Sequence, residues 1–313
     1  LTGYVDEQRH LSFEAIQWHL LALEDLEHLP QEAVGHQHPA GRDVDDGHVP
    51  LKAWGDEGYG VSAVRREMRR RGEQISVLAV ERLRRIGIPA QVTITRGDPA
   101  FLIPFAARKW SSDLILIRAN NRMNFRNWLL GSVAKSVVES AHCSVEVVRA
   151  PTASTAQNGT RILLATDGSD ASLAASEEVA QMKWAEGAEV KVVSVINPIK
   201  YSLEEIGFSH GKESEHAHHA IGKTVKVLVN TPLKITAEMV AGMRVRQTIA
   251  RARGWQADLI VVGTEERTGL KRLLSRGTAV AVANRAHCSV RVVRRNNVSK
   301  DEQLPSGLLS NAA

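Results

Sequence analysis

The sequence has few aromatic residues, only two cysteines and no long apolar run. Aromatic side chains make up 4% of the 313 residues, so the core must consist mainly of Val, Leu, Ile and Ala, which suits buried parallel strands. Two cysteines are too few for the disulfide framework of a small secreted protein, which favours a reducing, cytoplasmic location. No stretch approaches the ~18 apolar residues of a membrane span, so no membrane partner is expected.

A strong excess of one charge is also missing. The chain has 40 Lys and Arg residues against 35 Asp and Glu residues, a net charge of +5, and the basic residues are interleaved with the acidic ones. The densest basic run, residues 65–71, is predicted to be the solvated face of a helix. A nucleic acid is therefore not expected as a partner.

The sequence does contain an internal repeat. Trp110–Ile117 recurs as Trp255–Val262, and Ala141–Arg149 recurs as Ala286–Arg294, both displaced by 145 positions (110 to 255, and 141 to 286). Each repeat alternates short β-branched runs with segments of helical length, the βαβ pattern of a helix-covered parallel sheet. The predicted fold class is therefore α/β, a doubly wound parallel sheet present in two tandem copies.

The second copy, residues 160–295, is complete. It opens with a strand and a polar turn at Arg161–Ser169, followed by a helix near 171–184 and a strand at 189–196. Cys288 precedes its last strand, at the position that Cys143 occupies in the first copy. Both thiols are therefore predicted to be buried core groups and not reactive ones.

The first copy, residues 61–150, is incomplete because it lacks an equivalent of that opening strand and turn. Residues 1–60 are expected to be a truncated, remodelled or disordered front end, in which only 13–29 resembles a helix. Residues 151–159 are predicted to be a linker and residues 296–313 a disordered tail. The elements predicted in the first copy are a strand at 91–95, a helix at 100–110, a strand at 114–117, a helix at 133–140 and a last strand at 144–148.

Several residues that suit ligand binding follow strands of the second copy. Asp167 ends the first strand, and Gly263 ends a later buried strand. Gly277 and Thr278 precede a helix, whose N-terminal amides favour an anion. In an open doubly wound sheet the first and fourth strands flank the crevice where ligands bind, so we expect these residues to form one site.

At these residues the sequence resembles the universal stress protein family. The resemblance covers residues 160–294 nearly end to end and about 75–149 of the first copy. It implies a five-stranded parallel sheet of order 3-2-1-4-5. In nucleotide-binding members it also implies a fingerprint of Gly, two residues, Gly, nine residues and Gly-Ser. Carried over by position, the resemblance implies ATP with Mg²⁺ as ligand and a pocket formed by Ala165, Thr166, Asp167, Val195, Gly263, Glu265, Gly277 and Thr278.

Departures from the fingerprint leave the ligand open. Glu266 replaces the second glycine, ten residues separate it from Gly277, and Thr278 replaces the serine. A carboxylate beside a triphosphate is electrostatically unfavourable, so ATP binding and an inherited structural turn remain alternatives. In the first copy Arg118 and Asn121 replace the two glycines, and that copy is expected to bind no nucleotide.

Three functions are compatible with these features. The first is a regulatory protein that binds ATP in its second copy as a sensor of stress or energy state. The second is an interaction module without a ligand, whose last strands, 144–148 and 289–293, pair between repeats or between chains, as is typical of the family. The third is a slow ATP hydrolase with Asp167 and Glu265 as its candidate groups.

No catalytic or metal-binding residues are assigned from the sequence. Asp167 and Ser169 could suggest a hydrolase, but no histidine is placed to act as the base. Four histidines at positions 210, 216, 218 and 219 are predicted to lie in a solvated segment, because they lack a partner motif for a metal.

Overall fold

The computed structural model describes residues 18–21, 59–95, 97–119, 130–149, 159–196, 212–264 and 277–295. Most of the front end, the linker residues 151–158 and the tail 296–313 lie outside this part of the chain, and with them the predictions made for those segments. The described residues divide into two compact units, a smaller one ending at Pro99 and a larger one beginning at Ala100. Within these ranges, no helix has both the length and the apolar character needed to cross a membrane.

The smaller unit contains β1 (Trp18–Leu21), α1 (Tyr59–Arg85) and β2 (Ala90–Thr93). The two strands form a parallel sheet in which Trp18 lies opposite Ala90. The helix predicted over 13–29 is wrong at residues 18–21. Pairing with β2 holds the backbone extended there, because tertiary contacts override a weak local preference.

The larger unit follows the predicted alternation of helices and strands. The first repeat supplies α2 (Pro99–Lys109), β3 (Leu114–Arg118), α3 (Ser132–Ser140) and β4 (Ser144–Val148). The second repeat supplies β5 (Arg161–Thr166), α4 (Asp170–Gln181), β6 (Glu189–Ile196), α5 (Lys212–Leu228), β7 (Lys234–Ala241), α6 (Arg244–Gly254), β8 (Leu259–Thr264), α7 (Gly277–Arg285) and β9 (Ser289–Arg294).

These strands form a seven-stranded sheet of order β3-β4-β9-β8-β5-β6-β7. The five strands of the second repeat are parallel and lie in the order third, second, first, fourth and fifth. The predicted α/β fold with strand order 3-2-1-4-5 is therefore confirmed for this repeat. The first repeat extends the same sheet with its own last two strands.

The two repeats join through their last strands. β4 and β9 are antiparallel, and three residue pairs lie opposite each other: Val145 and Val292, Glu146 and Arg291, and Val147 and Val290. The four valines are fully buried. This is one of the two pairings, between repeats or between chains, that the alternating valines of the last strands predicted, and we call it the joint.

The core continues across the joint. Val147 and Val290 belong to one cluster of buried side chains together with Leu163 and Ile260 on the same face of the sheet. Ile162 and the side chains around it form a second cluster on the opposite face. The larger unit therefore does not stop at the boundary between the repeats, because its core contains side chains from both.

Substituting Val292 by lysine tests the joint. Val292 has 0% of its surface exposed, and an unpaired buried charge lowers the free energy of unfolding by roughly 3–5 kcal/mol. We expect urea unfolding to show a loss of this size. The matched control is Val229→Lys, because Val229 is 62% exposed and the same substitution there should change the free energy by less than about 0.5 kcal/mol. Equal losses in the two variants would contradict the assignment.

Candidate functional site

A cavity of about 270 Å³ lies at the carboxyl edge of the parallel strands. The turn after β5 and the end of β6 form its floor, since parallel neighbouring strands end at the same edge of the sheet. Side chains from the first two turns of α5 and the start of α6, including His216 and Arg244, complete its walls. This is the edge at which open α/β sheets bind ligands.

The turn after β5 is fixed by a glycine and by a buried threonine. Gly168 has a φ of 75°, in the left-handed region, and a Cβ there would lie 2.9 Å from the Cβ of Ala220. The Thr166 hydroxyl accepts hydrogen bonds from the Gly168 amide (3.3 Å) and the Thr224 hydroxyl (3.0 Å), and it donates to the Ser172 hydroxyl (3.2 Å). The turn is therefore tied to both α4 and α5.

Asp167 is oriented by Ser169 and Arg244. Its Oδ1 accepts from the Ser169 amide at 3.1 Å and from the Ser169 hydroxyl at 2.6 Å, and Arg244 Nη1 lies 3.6 Å from its Oδ2. Burial alone would raise the pKa of this carboxyl, but the Ser169 hydrogen bonds and the Arg244 guanidinium together lower it below its usual value. At neutral pH Asp167 is therefore an ionised, positioned acceptor.

His216 does not make Ser169 a nucleophile. The Ser169 hydroxyl caps α4 by accepting from the Ser172 amide. His216 Nε2 lies 3.0 Å from the Asp167 carbonyl oxygen, and because a carbonyl only accepts, this nitrogen carries the proton. A protonated nitrogen cannot take a proton from Ser169, so these three residues do not form a catalytic triad.

Three charged or titratable residues of the cavity were not assigned to the site from the sequence: Glu213, His216 and Arg244. The sequence offered a signal only for His216, as one member of a histidine cluster. With Asp167, the cavity contains two carboxylates and one guanidinium. This balance suits a polar, uncharged group such as a sugar or a base better than a phosphate.

The predicted site residues of β5 and β6 lie together. Asp167 and Val195 line the cavity. Ala165 and Thr166 are the last two residues of β5, and Thr166 is buried, so its hydroxyl supports the turn from inside. Their contacts with a ligand stay predictions.

The residues predicted near β8 lie elsewhere or outside the described part of the chain. Gly277 and Thr278 are the exposed first residues of α7 and do not line the cavity. Glu265 and Glu266 are outside the described residues. The structure therefore brings together Asp167 and Val195, which lie after β5 and near the end of β6, whereas a shared site with the residues near β8 stays a prediction.

Gly263 has a packing role. It lies within β8, and a Cβ at this position would come 2.1 Å from the carbonyl oxygen of Ala171. The first turn of α4 therefore packs directly against the backbone of β8, which only glycine allows. Contact of Gly263 with a phosphate stays a prediction.

The described residues show no grouping of three or more His, Cys, Asp or Glu side chains that could hold a metal ion. His218 and His219 are exposed on α5, and His210 lies outside the described ranges.

Cys143 and Cys288 are buried. Burial raises the pKa of their thiols to about 11 and about 12, so both are protonated at neutral pH and are poor nucleophiles.

Known proteins match most of the chain. The sequence profile of the universal stress protein family matches residues 45–149 and 159–294. Universal stress protein MJ0531 of Methanocaldococcus jannaschii is 33% identical over 142 residues, which cover 43% of this chain and 82% of that protein. A crystal structure of a universal stress protein from Archaeoglobus fulgidus covers 79% of this chain and 83% of its own, with 19% identity and a TM-score of 0.55. The fold is shared with that protein.

A universal stress protein from Arabidopsis thaliana was solved with AMP bound. It is 16% identical, covers 44% of this chain and 93% of its own, and has a TM-score of 0.35. At that likeness the bound AMP is a property of the plant protein. The ligand of this chain has to be argued from its own residues.

Substituting Gly263 by alanine tests the packing of α4 on β8. Because the new Cβ would meet backbone atoms, we expect the free energy of unfolding to fall by about 1–3 kcal/mol. Gly222→Ala is the control, since nothing lies within 4 Å of its added Cβ and alanine in a helix interior stabilises by about 1 kcal/mol. Thermal or urea unfolding should show opposite signs. Two changes of the same sign would contradict the contact.

The pH dependence of stability tests the environment of Asp167. Because its pKa is lowered in the folded protein, the ionised carboxylate stabilises the fold above about pH 4, and this contribution is lost as the pH falls through the folded value. Asp167→Asn removes that titration. We therefore expect the difference in unfolding free energy between the wild type and the variant to shrink between pH 5 and pH 2. A difference that stays constant over this range would contradict the assignment.

Proposed function

This chain belongs to the universal stress protein family, and we propose that its second repeat binds an adenine nucleotide, ATP with Mg²⁺. The bound state would act as a regulatory signal of stress or energy state. The observation that supports this most is the cavity at the end of β5, with the ionised Asp167 carboxylate positioned at its edge. An oriented carboxylate is the acceptor that the hydroxyl groups of a ribose require.

The size and charge of the cavity support a nucleoside end. Ligand pockets measure about 300–1,000 Å³, and the 270 Å³ of this cavity lies just below that range, so we assign only the base and the ribose to it. In the proposed arrangement the base packs against Val195 and the ribose hydroxyls donate to Asp167. Among the described residues, the cavity contains two carboxylates and only one guanidinium. Because this balance disfavours further negative charge, we assign the phosphates to a position outside the cavity.

The phosphates are assigned to the start of α7. Because β5 lies between β6 and β8 in the sheet, a nucleotide laid across the end of β5 extends from the side of Val195 towards that of Gly277. The exposed residues Gly277 and Thr278 begin a helix, and helix N-terminal amides bind phosphate.

In this proposal Mg²⁺ is coordinated by phosphate oxygens and by water, which are its usual ligands. Within the described ranges no set of side chains is suited to hold a metal.

In this proposal the Arg244 guanidinium moves away from the Asp167 carboxylate when the ligand binds. Its guanidinium lies 3.6 Å from Asp167 Oδ2, and its side chain is 59% exposed. Exposed ion pairs contribute about 0–1 kcal/mol, so a ribose hydroxyl can replace Arg244 at little energetic cost.

An interaction module without a ligand is the second candidate. Two observations favour it: Arg244 already partners Asp167, and the last strands already form the joint. Slow hydrolysis of ATP stays a prediction from the sequence, because Glu265, one of its two candidate groups, lies outside the described residues.

Titration calorimetry with ATP, AMP and adenosine tests the proposal. We expect ATP to bind, and Asp167→Ala to weaken binding by about 10–100-fold, because a hydrogen bond to a charged group contributes about 1.5–3 kcal/mol. The control is Asp170→Ala, since Asp170 is an exposed acid in the first turn of α4 that does not line the cavity.

The absence of binding at millimolar ATP would remove the nucleotide proposal, and the interaction module would then be the better description of the second repeat. Binding of ATP with equal affinity by the wild type and Asp167→Ala would instead remove the ribose contact assigned to Asp167.

A further inference from the structure

The joint has approximate two-fold symmetry. Corresponding residues of the two repeats differ by 145 positions (146 and 291, for example). In the antiparallel pairing, Glu146 lies opposite Arg291, which is the corresponding residue of the second repeat. The two valine pairs that flank them are exchanged by the same two-fold symmetry. The pair of Glu146 and Arg291 therefore lies on the symmetry axis.

The arginines at the ends of the two last strands obey this symmetry. Arg149 Nη2 donates to the carbonyl oxygen of Ala283, in the last turn of α7, at 2.6 Å. Arg294 Nη2 donates to the corresponding carbonyl of Val138 in α3. Each guanidinium thus satisfies a C-terminal helix carbonyl of the other repeat. Such contacts could form between any two repeats, so they stabilise the joint without selecting its partner.

The pair on the axis differs because its charges are opposite. Arg291 Nε donates to Glu146 Oε2 at 2.7 Å, and Arg291 Nη1 donates to Glu178 Oε1 of α4 at 3.0 Å. The side chains of Arg291 and Glu146 are 10% and 17% exposed. With so little solvent around them, the sign of each charge strongly affects the energy of the pair.

If two copies of the same repeat paired, the charges on the symmetry axis would no longer be opposite. If two copies of the second repeat paired, their Arg291 guanidinium groups would lie opposite each other on the symmetry axis. Each would then lie beside another cation. Two first repeats would place two Glu146 carboxylates opposite each other. Like charges directly opposite across antiparallel strands are destabilising, whereas the unlike pairing gives Arg291 two carboxylates.

We infer that Glu146 and Arg291 determine which last strands pair, selecting the unlike repeat and disfavouring a second copy of the same one. The partner that fits β9 is therefore a last strand with an acid at the central position. Within one chain the linker also keeps the two strands at a high effective concentration, and each chain pairs its own last strands. This inference concerns the joint and does not depend on nucleotide binding.

Charge reversals in the full-length chain test the selection. Glu146→Arg and Arg291→Glu each place like charges on the axis of their own chain. When the two variants are unfolded together and refolded as a mixture, each new charge meets its opposite in the other variant. We expect the mixture to form a complex of twice the chain mass of 34.3 kDa, while each variant alone does not. Sedimentation equilibrium and native mass spectrometry measure this directly.

The double variant Glu146→Arg/Arg291→Glu serves as a rescue within one chain. We expect it to recover the monomer and part of the melting temperature that each single variant loses, because Arg291→Glu still leaves Glu178 beside a second carboxylate. The matched control reverses Glu189 and Lys234, an exposed ion pair of 2.9 Å between β6 and β7, in separate chains. Mixing those two chains should yield no complex. A mixture of the 146 and 291 variants that sediments as the sum of its components would overturn the inference.

Neutral variants extend the test if either reversal prevents folding. The free energies of unfolding of Glu146→Gln, Arg291→Gln and the double variant then form a double-mutant cycle. We expect the double variant to lose less than the sum of the two single losses. Additive losses would overturn the inference, because the two charges would then act independently.

Discussion

The antiparallel pairing of β4 with β9 is the contact on which the larger unit depends. It aligns four buried valines, each worth about 1.5–3 kcal/mol when removed from water. It also joins the buried side chains of the first repeat to the core of the second. The first repeat supplies α2, β3, α3 and β4 to this unit, and its buried side chains join those of β8 and β9 in one cluster. The two repeats therefore stabilise each other through one shared core.

The same pairing leaves the carboxyl edge of the second repeat available. The joint is made along β9, and β8 separates that strand from β5, where the cavity begins. Strand pairing and the candidate site thus use different parts of one sheet. This separation explains how a chain can bury most of its last strands and still present an oriented Asp167 at a cavity.

The sequence predicted the strands and the joint well because both depend on local, repeated patterns. β-branched runs mark the strands, and the alternating valines of the last strands indicate a buried pairing edge. The site was predicted less completely. Asp167 follows a strand in an obvious motif, whereas Glu213 and Arg244 reach the cavity only when α5 and α6 pack beside it. Gly263 shows a further difference, since the motif suggested phosphate and the structure adds close packing of α4.

The position of α4 has a mechanical consequence. Its first turn contacts the end of β5 through the hydroxyls of Ser172 and Thr166, and Glu178, less than two turns later, contacts Arg291 and Ser144 at the joint. An α-helix is stiff over so short a length, with a rise of about 1.5 Å per residue. A displacement of α4 along its axis by a fraction of an ångström therefore changes hydrogen-bond lengths at both of its ends at once.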